Sequence, residues 1–406
     1  MRLDRRGFLG AAIAVGHAPS LARQTSVSSP ANGWTKTKGG DGGRLLRVTS
    51  LASEGPGTLR AALAVRGPRQ ILFEVAGVID LARNSLSIRE PFVTIDGTSA
   101  PSPGITLIRG GISVSTHDVV IRHIRVRAGA DGAPARSGWE VDGLSTSAAH
   151  DVIVDHCSFA WATDENLSAS GPRFAGGETV EAWRQHTSRR ISFTRNIVAE
   201  GLSHSSHAKG EHSKGSLIHD NVTEVLIAGN LYAHNYERNQ LFKGGAHALT
   251  TNNLIYDPGN RCMHYALNEE EWVGRAWTVG QLAIIGNVVR GGASTRADLP
   301  FLIVEGQGDL ELYARDNRHR HADGRKMAAL GIISNRTPKV IPLPRAPFWP
   351  AGFEPRPARE VEAWVLAEAG ARPWDRDAVD RRIVAEVRSG KGRVIDDEGE
   401  VGGYPG

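Results

Sequence analysis

A short pattern recurs six times along the chain, and a chain with such a repeat can adopt only a few folds. Each copy contains a His or an Asn that is followed at once by a small or apolar residue. The copies are VVIRHIRV (119–126), VIVDHCSF (152–159), ISFTRNIV (191–198), VLIAGNLY (225–232), ALTTNNLI (248–255) and LAIIGNVV (282–289). Successive copies start roughly 23 to 40 residues apart, a spacing typical of a solenoid whose loops vary in length.

Each copy is too short for a helix and predicts a strand, a turn and a second strand, with the polar residue at the bend. A stack of such coils is an all-β, right-handed, single-stranded parallel β-helix, whose inward apolar side chains form one continuous core. Asparagines at the bends would then hydrogen-bond to one another along the axis. The 47 glycines and the 6% of aromatic residues agree with strands and turns. Leucine-rich and propeller repeats are the structural alternatives, but neither consensus is present.

Both ends of a solenoid need caps, and the sequence has a candidate for each. TLRAALAV (58–65) predicts an N-terminal capping helix, and segments 359–370 and 376–390 predict C-terminal helices that fold back over the barrel. Between the barrel and these helices, a proline-rich segment (338–357) is predicted to lie extended along the outside. We therefore assign residues 23–340 to the β-helix and residues 341–406 to the proline-rich traverse and the helical tail.

The repeat also predicts the state of the two cysteines, Cys157 and Cys262. They lie about four coils apart, and at ~4.8 Å per coil their separation is about 20 Å. A disulfide needs a much shorter distance. We expect two buried free thiols.

The N-terminus has the features of an export signal. Arg5 and Arg6 precede a short, mildly apolar Gly/Ala stretch, and Ser20-Leu21-Ala22 resembles a cleavage site. Residues 1–22 therefore predict a twin-arginine signal and a periplasmic or secreted protein, with a buried N-terminal helix as the alternative. No other stretch approaches the length of a membrane span, so no membrane partner is expected.

The charge of the chain gives little support to a nucleic-acid partner. Three arginines and one aspartate of residues 1–22 contribute to the net charge of +4, so the remaining chain carries only +2. A local basic cleft for an acidic substrate fits this balance equally well.

Seven blocks, in order, resemble the pectate lyases of polysaccharide lyase family 1. They are VTSLASEGPGTLRAAL, ILFEVAGVIDL, TIDGTSAPSPGITL, VDGLS, VIVDHCSFAWATDENLS, HSKGSLIHDN and ERNQLFKGG. The similarity covers roughly residues 45 to 265, and the helical tail is similar to that of bacterial members. The resemblance implies calcium-assisted β-elimination of polygalacturonate on a parallel β-helix, by an enzyme that we expect to be a monomer. Its partner would be an acidic polysaccharide.

In this family, aspartates at the positions of Asp142 and Asp164 ligate calcium, a hard cation that prefers several oxygen ligands. Glu140 precedes Asp142 by two residues, so on an extended segment both side chains would lie on the same face. We therefore include Glu140 as a third metal ligand. The family usually has a further aspartate where this chain has Ser168. Glu165 is a candidate to compensate for it.

The resemblance also implies roles for the basic residues. Lys214 and Lys243 match substrate-binding positions, and we expect His212 to line the cleft beside Lys214. Arg238 matches the arginine that removes the C5 proton. A guanidinium has a pKa above about 12, so a basic Arg238 requires burial and cationic neighbours that lower this value. Activity should therefore be highest at alkaline pH.

Several alternatives stay open at this stage. A polygalacturonase needs a carboxylic acid and a carboxylate, and the Asn-Thr-Asp and Gly-His-Gly blocks of that family are absent. A calcium-independent pectin lyase, or a lyase acting on another polyuronate, would use a similar cleft. A non-catalytic, polysaccharide-binding β-helix is a further possibility. A transition-metal site on His204, His207 and His212 is disfavoured because the sequence shows no fourth ligand.

Overall fold

The structure is a computed structural model, and it describes residues 32–334, 336 and 338–405. The predicted export signal, residues 1–22, lies outside the described residues, so export remains a prediction.

Three parallel sheets form the solenoid between residues 44 and 342, with one strand of each sheet in a complete coil. The first sheet contains eleven strands in the described chain: Arg44–Val48, Arg69–Phe73, Val93–Asp96, His117–Arg122, His150–Asp155, Arg189–Thr194, Thr223–Ala228, His247–Thr251, Gly280–Ile285, Leu310–Arg315 and Val340–Pro342. The second, of nine described strands, contains Gly77–Asp80, Ile105–Ile108, Ile124–Arg127, Ser158–Ala160, Ile197–Ala199, Leu231–Ala233, Leu254–Tyr256, Val288–Arg290 and Arg318–Arg320. The third, also of nine described strands, contains Leu86–Ile88, Ile112–Val114, Leu144–Ser147, Leu167–Ser170, Leu217–Ile218, Leu241–Lys243, Met263–Leu267, Leu302–Gly306 and Leu330–Ile333. The predicted β-helix is confirmed.

The core of the solenoid is a set of apolar columns, because equivalent positions of successive coils stack directly on one another. In the first sheet one such column consists of Val119, Val152, Ile191, Val225, Ala248 and Leu282, all fully buried. Each large apolar side chain that is buried in this way stabilises the fold by roughly 1.5–3 kcal/mol. The period-2 pattern of the strands therefore produces a continuous core.

A short helix closes the N-terminal end of the stack. Helix α1 (Leu59–Leu63) buries Leu59 and Leu63 against the first coils, as predicted for the N-terminal cap. Helix α2 (Val180–His186) lies in a loop and was not predicted. None of the helices among the described residues is both long and apolar enough to cross a membrane.

The helical tail packs on the outer face of the second sheet. Helices α3 (Ala358–Glu368) and α4 (Ala378–Ser389) bury Val361, Val365 and Ile383 in one apolar cluster with that sheet. The buried carboxylate of Asp380 accepts hydrogen bonds from Arg127 Nη2 (2.6 Å) and Ser158 Oγ (2.7 Å). The predicted tail is thus fixed by both apolar and charged contacts. Cys157 and Cys262 are buried free thiols, as predicted.

A ladder of asparagines follows the bend between the first and second sheets. Asn196, Asn230, Asn253, Asn287 and Asn317 lie on successive coils, and each side-chain amide donates to the next Oδ1 at 2.9–3.2 Å. The ladder was predicted, but the alignment of the repeats was wrong by one residue for the first two copies. Their histidines, His123 and His156, precede the ladder column and occupy the left-handed bend position, with φ of 57° and 49°.

Replacing Asn230 by alanine is expected to destabilise the protein by about 3 kcal/mol or more, because several buried polar groups lose their partners together. Asn230 Oδ1 accepts from the backbone N–H of Asn196 (2.8 Å), and its Nδ2 donates to the carbonyl of Phe193 (2.9 Å). Urea unfolding measures the effect. The exposed Asn84→Ala variant is the control, with an expected loss below about 1 kcal/mol. Equal losses in the two variants would contradict this role of the ladder.

Candidate active site

Charged side chains stack just before the strands of the third sheet. Isolated parallel bridges join Glu165 to Lys214 and Lys214 to Glu237. Asp142 lies on the preceding coil, and the register of strands Leu144–Ser147 and Leu167–Ser170 places it beside Glu165. Because neighbouring coils are about 4.8 Å apart, these four residues form one column of interacting charges.

Three carboxylates meet at one end of this column. One oxygen from each of Asp142, Asp164 and Glu165 lies within 4.8 Å of the others. Burial, reinforced by the charge of Asp164, raises the pKa of Asp142 to about 7. Burial alone would also raise the pKa of Asp164, but its hydrogen bond with His212 and the nearby charges of His212, His207 and Arg238 together lower it. Asp142 has no ion-pair partner within the described ranges, so a cation at this position would relieve a buried charge.

Calcium fits this group, because the donors are carboxylate oxygens, which hard divalent cations prefer, and because their mutual repulsion is incompletely compensated. The structure groups Glu165 with the two aspartates. Glu140 is not part of this group: its Oε1 accepts the N–H of Ala208 (3.2 Å) and lies 3.5 Å from His207 Nδ1. The side chains of Glu140 and Asp142 were expected to lie on the same face of a strand. That rule does not apply, because residues 138–143 are not in a strand.

Ser168 takes no part in the carboxylate group. It lies in the strand Leu167–Ser170, and its Oγ accepts the N–H of Leu217 (3.3 Å). In place of the aspartate that is usual at this position in the family, this chain has a serine whose hydroxyl forms a hydrogen bond to the neighbouring coil.

Each of the three cations predicted for the site pairs with a carboxylate. Lys214 Nζ lies 2.6 Å from Glu237 Oε2, Arg238 contacts Glu165, and Lys243 contacts Glu271. Arg238 and Lys243 line a cleft of about 210 Å³, whose other lining residues include Asp164, Glu165, His212, His219 and Glu271. Lys214 is only 6% exposed and is not among the residues that line this cleft.

Burial favours the unprotonated form of Arg238, but its carboxylate neighbours favour the charged form. Burial lowers its pKa, whereas the charges of Asp164, Asp142 and Glu271 act in the opposite direction. The sequence argument attributed a lower pKa to cationic neighbours as well as to burial. Burial is the main cause in the structure.

His207 and His212 stack on one another with ring centroids 3.6 Å apart and planes inclined by 12°. Nε2 of His212 donates to Asp164 Oδ1 (2.7 Å), and Nε2 of His207 lies 3.7 Å from the same oxygen. A metal ion lies in the plane of each imidazole that binds it, and two nearly parallel planes this far apart cannot share one ion in that way. The stacked pair therefore orients Asp164. His204 is exposed and contacts Asp396 (3.2 Å).

The sequence argument missed two acidic partners of the cations. Glu237 directly precedes Arg238 in a matched block, but its pairing with Lys214 depends on the register between coils. Glu271 lies in a short 3₁₀ helix (Glu269–Trp272) that follows the strand Met263–Leu267, and no motif pointed to it.

Curated relatives match most of the chain. "Probable pectate lyase C" of Neosartorya fischeri is 30% identical over 368 residues, which cover 90% of this chain and 78% of that protein. The protein of the same name from Aspergillus terreus gives the same identity and coverage. These relatives are fungal and give no support to the predicted likeness to bacterial members. No protein-family model matches the chain.

The fold is also shared with a solved structure. The crystal structure of Jun a 1, the major allergen from cedar pollen, has a TM-score of 0.58 and covers 82% of this chain and 90% of that chain, at 14% identity. At this identity the likeness concerns the fold alone. The family follows from the relatives at 30% identity: the chain belongs to the pectate lyases of polysaccharide lyase family 1, and it is a polysaccharide lyase.

Proposed function

We propose that this lyase cleaves polygalacturonate by calcium-assisted β-elimination. The observation that supports the proposal most strongly is that Asp164 and Glu165, which group with Asp142, line the same cleft as Arg238. A candidate cation-binding group and a candidate base therefore lie next to each other. The cleft also carries Lys243, a cation suited to an acidic substrate.

Asp142, Asp164 and Glu165 would hold the calcium ion, with His212 orienting Asp164 through its hydrogen bond. When bound, calcium would neutralise the substrate carboxylate and stabilise the negative charge that accumulates as the C5 proton leaves. Lys243 would bind a uronate carboxylate after exchanging its contact with Glu271 for the substrate.

Arg238, in its unprotonated form, would accept the proton from C5 of the uronosyl residue. The electrons of the C5–H bond form the C4=C5 double bond, and the C4–O bond breaks as the sugar oxygen leaves. Because deprotonated guanidinium is scarce below its pKa, the rate should rise with pH in the alkaline range.

The product distinguishes elimination from the alternatives. On polygalacturonate we expect ultraviolet absorbance from unsaturated uronides. Reducing ends without that absorbance would indicate hydrolysis, and neither signal would indicate a binding protein. Strong activity confined to highly methyl-esterified pectin would indicate a pectin lyase, and activity confined to a different polymer would indicate a lyase for another polyuronate.

Glu271 is expected to compete with substrate for Lys243. In the Glu271→Gln variant the KM for polygalacturonate should fall about threefold to fivefold, because a partly exposed ion pair of about 1 kcal/mol no longer opposes binding. The kcat should not fall, because Glu271 no longer raises the pKa of Arg238. Steady-state kinetics at constant ionic strength measure the change. Glu270→Gln removes an exposed charge from the same loop and is the control. A higher KM in Glu271→Gln would contradict the competition.

A further inference from the structure

A second cavity, of about 440 Å³, lies between the proline-rich segment and the first sheet. Tyr313 and Arg315, at the end of strand Leu310–Arg315, form one wall, and Arg345, Trp349 and Arg356 form the other. This cavity shares no lining residue with the catalytic cleft. Its volume is typical of sites that hold part of a small ligand or a short stretch of polymer.

The cavity has cations that the protein itself does not neutralise. Within residues 32–334, 336 and 338–405, the side chains of Arg315 and Arg345 have neither a hydrogen bond nor an ion pair. The one carboxylate in the lining, Asp316, already accepts the N–H of Ala358 (2.8 Å). Arg238 and Lys243 in the catalytic cleft, by contrast, each pair with a carboxylate. Unpaired, exposed guanidinium groups favour a planar anion such as a carboxylate.

An aromatic side chain next to these cations is fixed in position. Trp349 remains 39% exposed, although its Nε1–H donates to the carbonyl of Phe353 (2.9 Å) and its ring packs edge-on against that of Phe353. An indole held in this way loses little freedom when a ligand arrives. It presents a flat apolar surface of the kind that packs against the C–H face of a sugar ring.

The wall that carries Trp349 is attached to the solenoid. Asn252 Oδ1 accepts the N–H of Arg356 (2.7 Å), and Asn252 Nδ2 donates to the Arg356 carbonyl (2.8 Å). Phe348 and Phe353 pack on the outer face of the first sheet. The shape of the cavity is therefore set before any ligand binds.

We propose that this cavity is a second, non-catalytic binding site for acidic polysaccharide, with a sugar ring against Trp349 and uronate carboxylates at Arg315 and Arg345. The choice of ligand rests on the proposed function, since a polyuronate repeats one carboxylate per sugar. Binding at this site raises the effective concentration of a long chain at the catalytic cleft, whereas a short oligosaccharide gains nothing from it.

Affinity electrophoresis in gels that contain polygalacturonate tests the proposal. The experiment uses full-length protein with the Arg238→Ala substitution, so that the polymer stays intact. Adding Arg315→Ala and Arg345→Ala should raise the dissociation constant about fivefold or more, and Trp349→Ala should also raise it. Arg318→Ala, an exposed arginine outside the cavity, is the matched control and should change retention less than twofold.

A kinetic comparison separates this site from the cleft. In protein with Arg238 intact, the Arg315→Ala/Arg345→Ala variant should keep the wild-type kcat/KM on trigalacturonate and show a raised KM on long polygalacturonate. Unchanged retention, an equal loss in Arg318→Ala, or an equal loss of retention on a nucleic acid would each overturn the site. Unsaturated product together with unchanged retention would overturn only this site. Lost retention without any product would support the site and overturn the proposed function.

Discussion

Replacing Arg238 by alanine is expected to lower kcat on polygalacturonate about a thousandfold, the usual range for loss of a catalytic base. KM should change only a few fold, because Lys243 remains to bind substrate. The assay is the rate of unsaturated-product formation, measured with folded protein whose urea midpoint matches that of the wild type. An Arg238→Ala variant with the wild-type rate would remove Arg238 from the proton-transfer step.

The Arg238→Lys variant is the matched control for this prediction. A lysine keeps the positive charge near Glu165 but has a lower intrinsic pKa, which burial lowers further. The pH–rate profile of Arg238→Lys should therefore shift toward neutral pH relative to the wild type. A variant that only disturbed the structure would lose activity at every pH without such a shift.

Replacing Asp142 or Asp164 by asparagine is expected to weaken calcium binding on the order of a hundredfold. Loss of a group that only orients a metal ligand weakens binding by up to about a hundredfold, and loss of a ligand itself should have at least that effect. Each aspartate contributes an oxygen to the compact carboxylate group and a full negative charge toward the ion. Calorimetric titration of chelator-treated protein measures the affinity. Glu140→Gln is the control with matched charge change, because Glu140 lies against Ala208 and His207. An equal loss in Glu140→Gln would contradict the grouping of Asp142 and Asp164 with Glu165.

The same titration should depend on pH. Since the pKa of Asp142 is raised to about 7 in the ion-free protein, a proton occupies this carboxyl below that pH and must leave before calcium binds. The apparent affinity should be nearly constant above pH 8 and should fall about tenfold per pH unit below pH 7. In Asp142→Asn this dependence should disappear.

The fold was predictable because every coil of a solenoid repeats the same strand–turn–strand unit. The columns of apolar residues and the asparagine ladder follow from a pattern that is visible in single coils, whereas the cap α1 follows from the separate segment 58–65. The one-residue error at His123 and His156 arose because the copies were aligned on polar side chains. The left-handed bend admits His, Arg, Gly or Asn, so identity alone does not distinguish the bend from the ladder position that follows it.

The site was predictable only where a block of sequence carried it. Asp142, Asp164, Arg238 and Lys243 do come together, although they lie on different coils. Glu140 was placed by strand alternation, and that rule does not apply in the loop that contains it.

The acidic residues that pair with the cations of the site lie on other coils or in separate loops, and the sequence did not predict them for a physical reason. Stacking register depends on the lengths of the intervening loops, so the pairing of Glu237 with Lys214 has no signature within either segment. Glu271 reaches Lys243 from a separate 3₁₀ helix, at a distance along the chain that no repeat specifies.

The most direct test of calcium-assisted elimination follows ultraviolet absorbance on polygalacturonate before chelation, after chelation and after readdition of calcium. The carboxylate group beside Arg238 predicts that absorbance grows with the untreated enzyme, stops with chelator and resumes when calcium is restored. In Asp142→Asn, restoration should require a much higher calcium concentration. Absorbance that continues at the same rate in the presence of chelator would contradict a catalytic role for the ion.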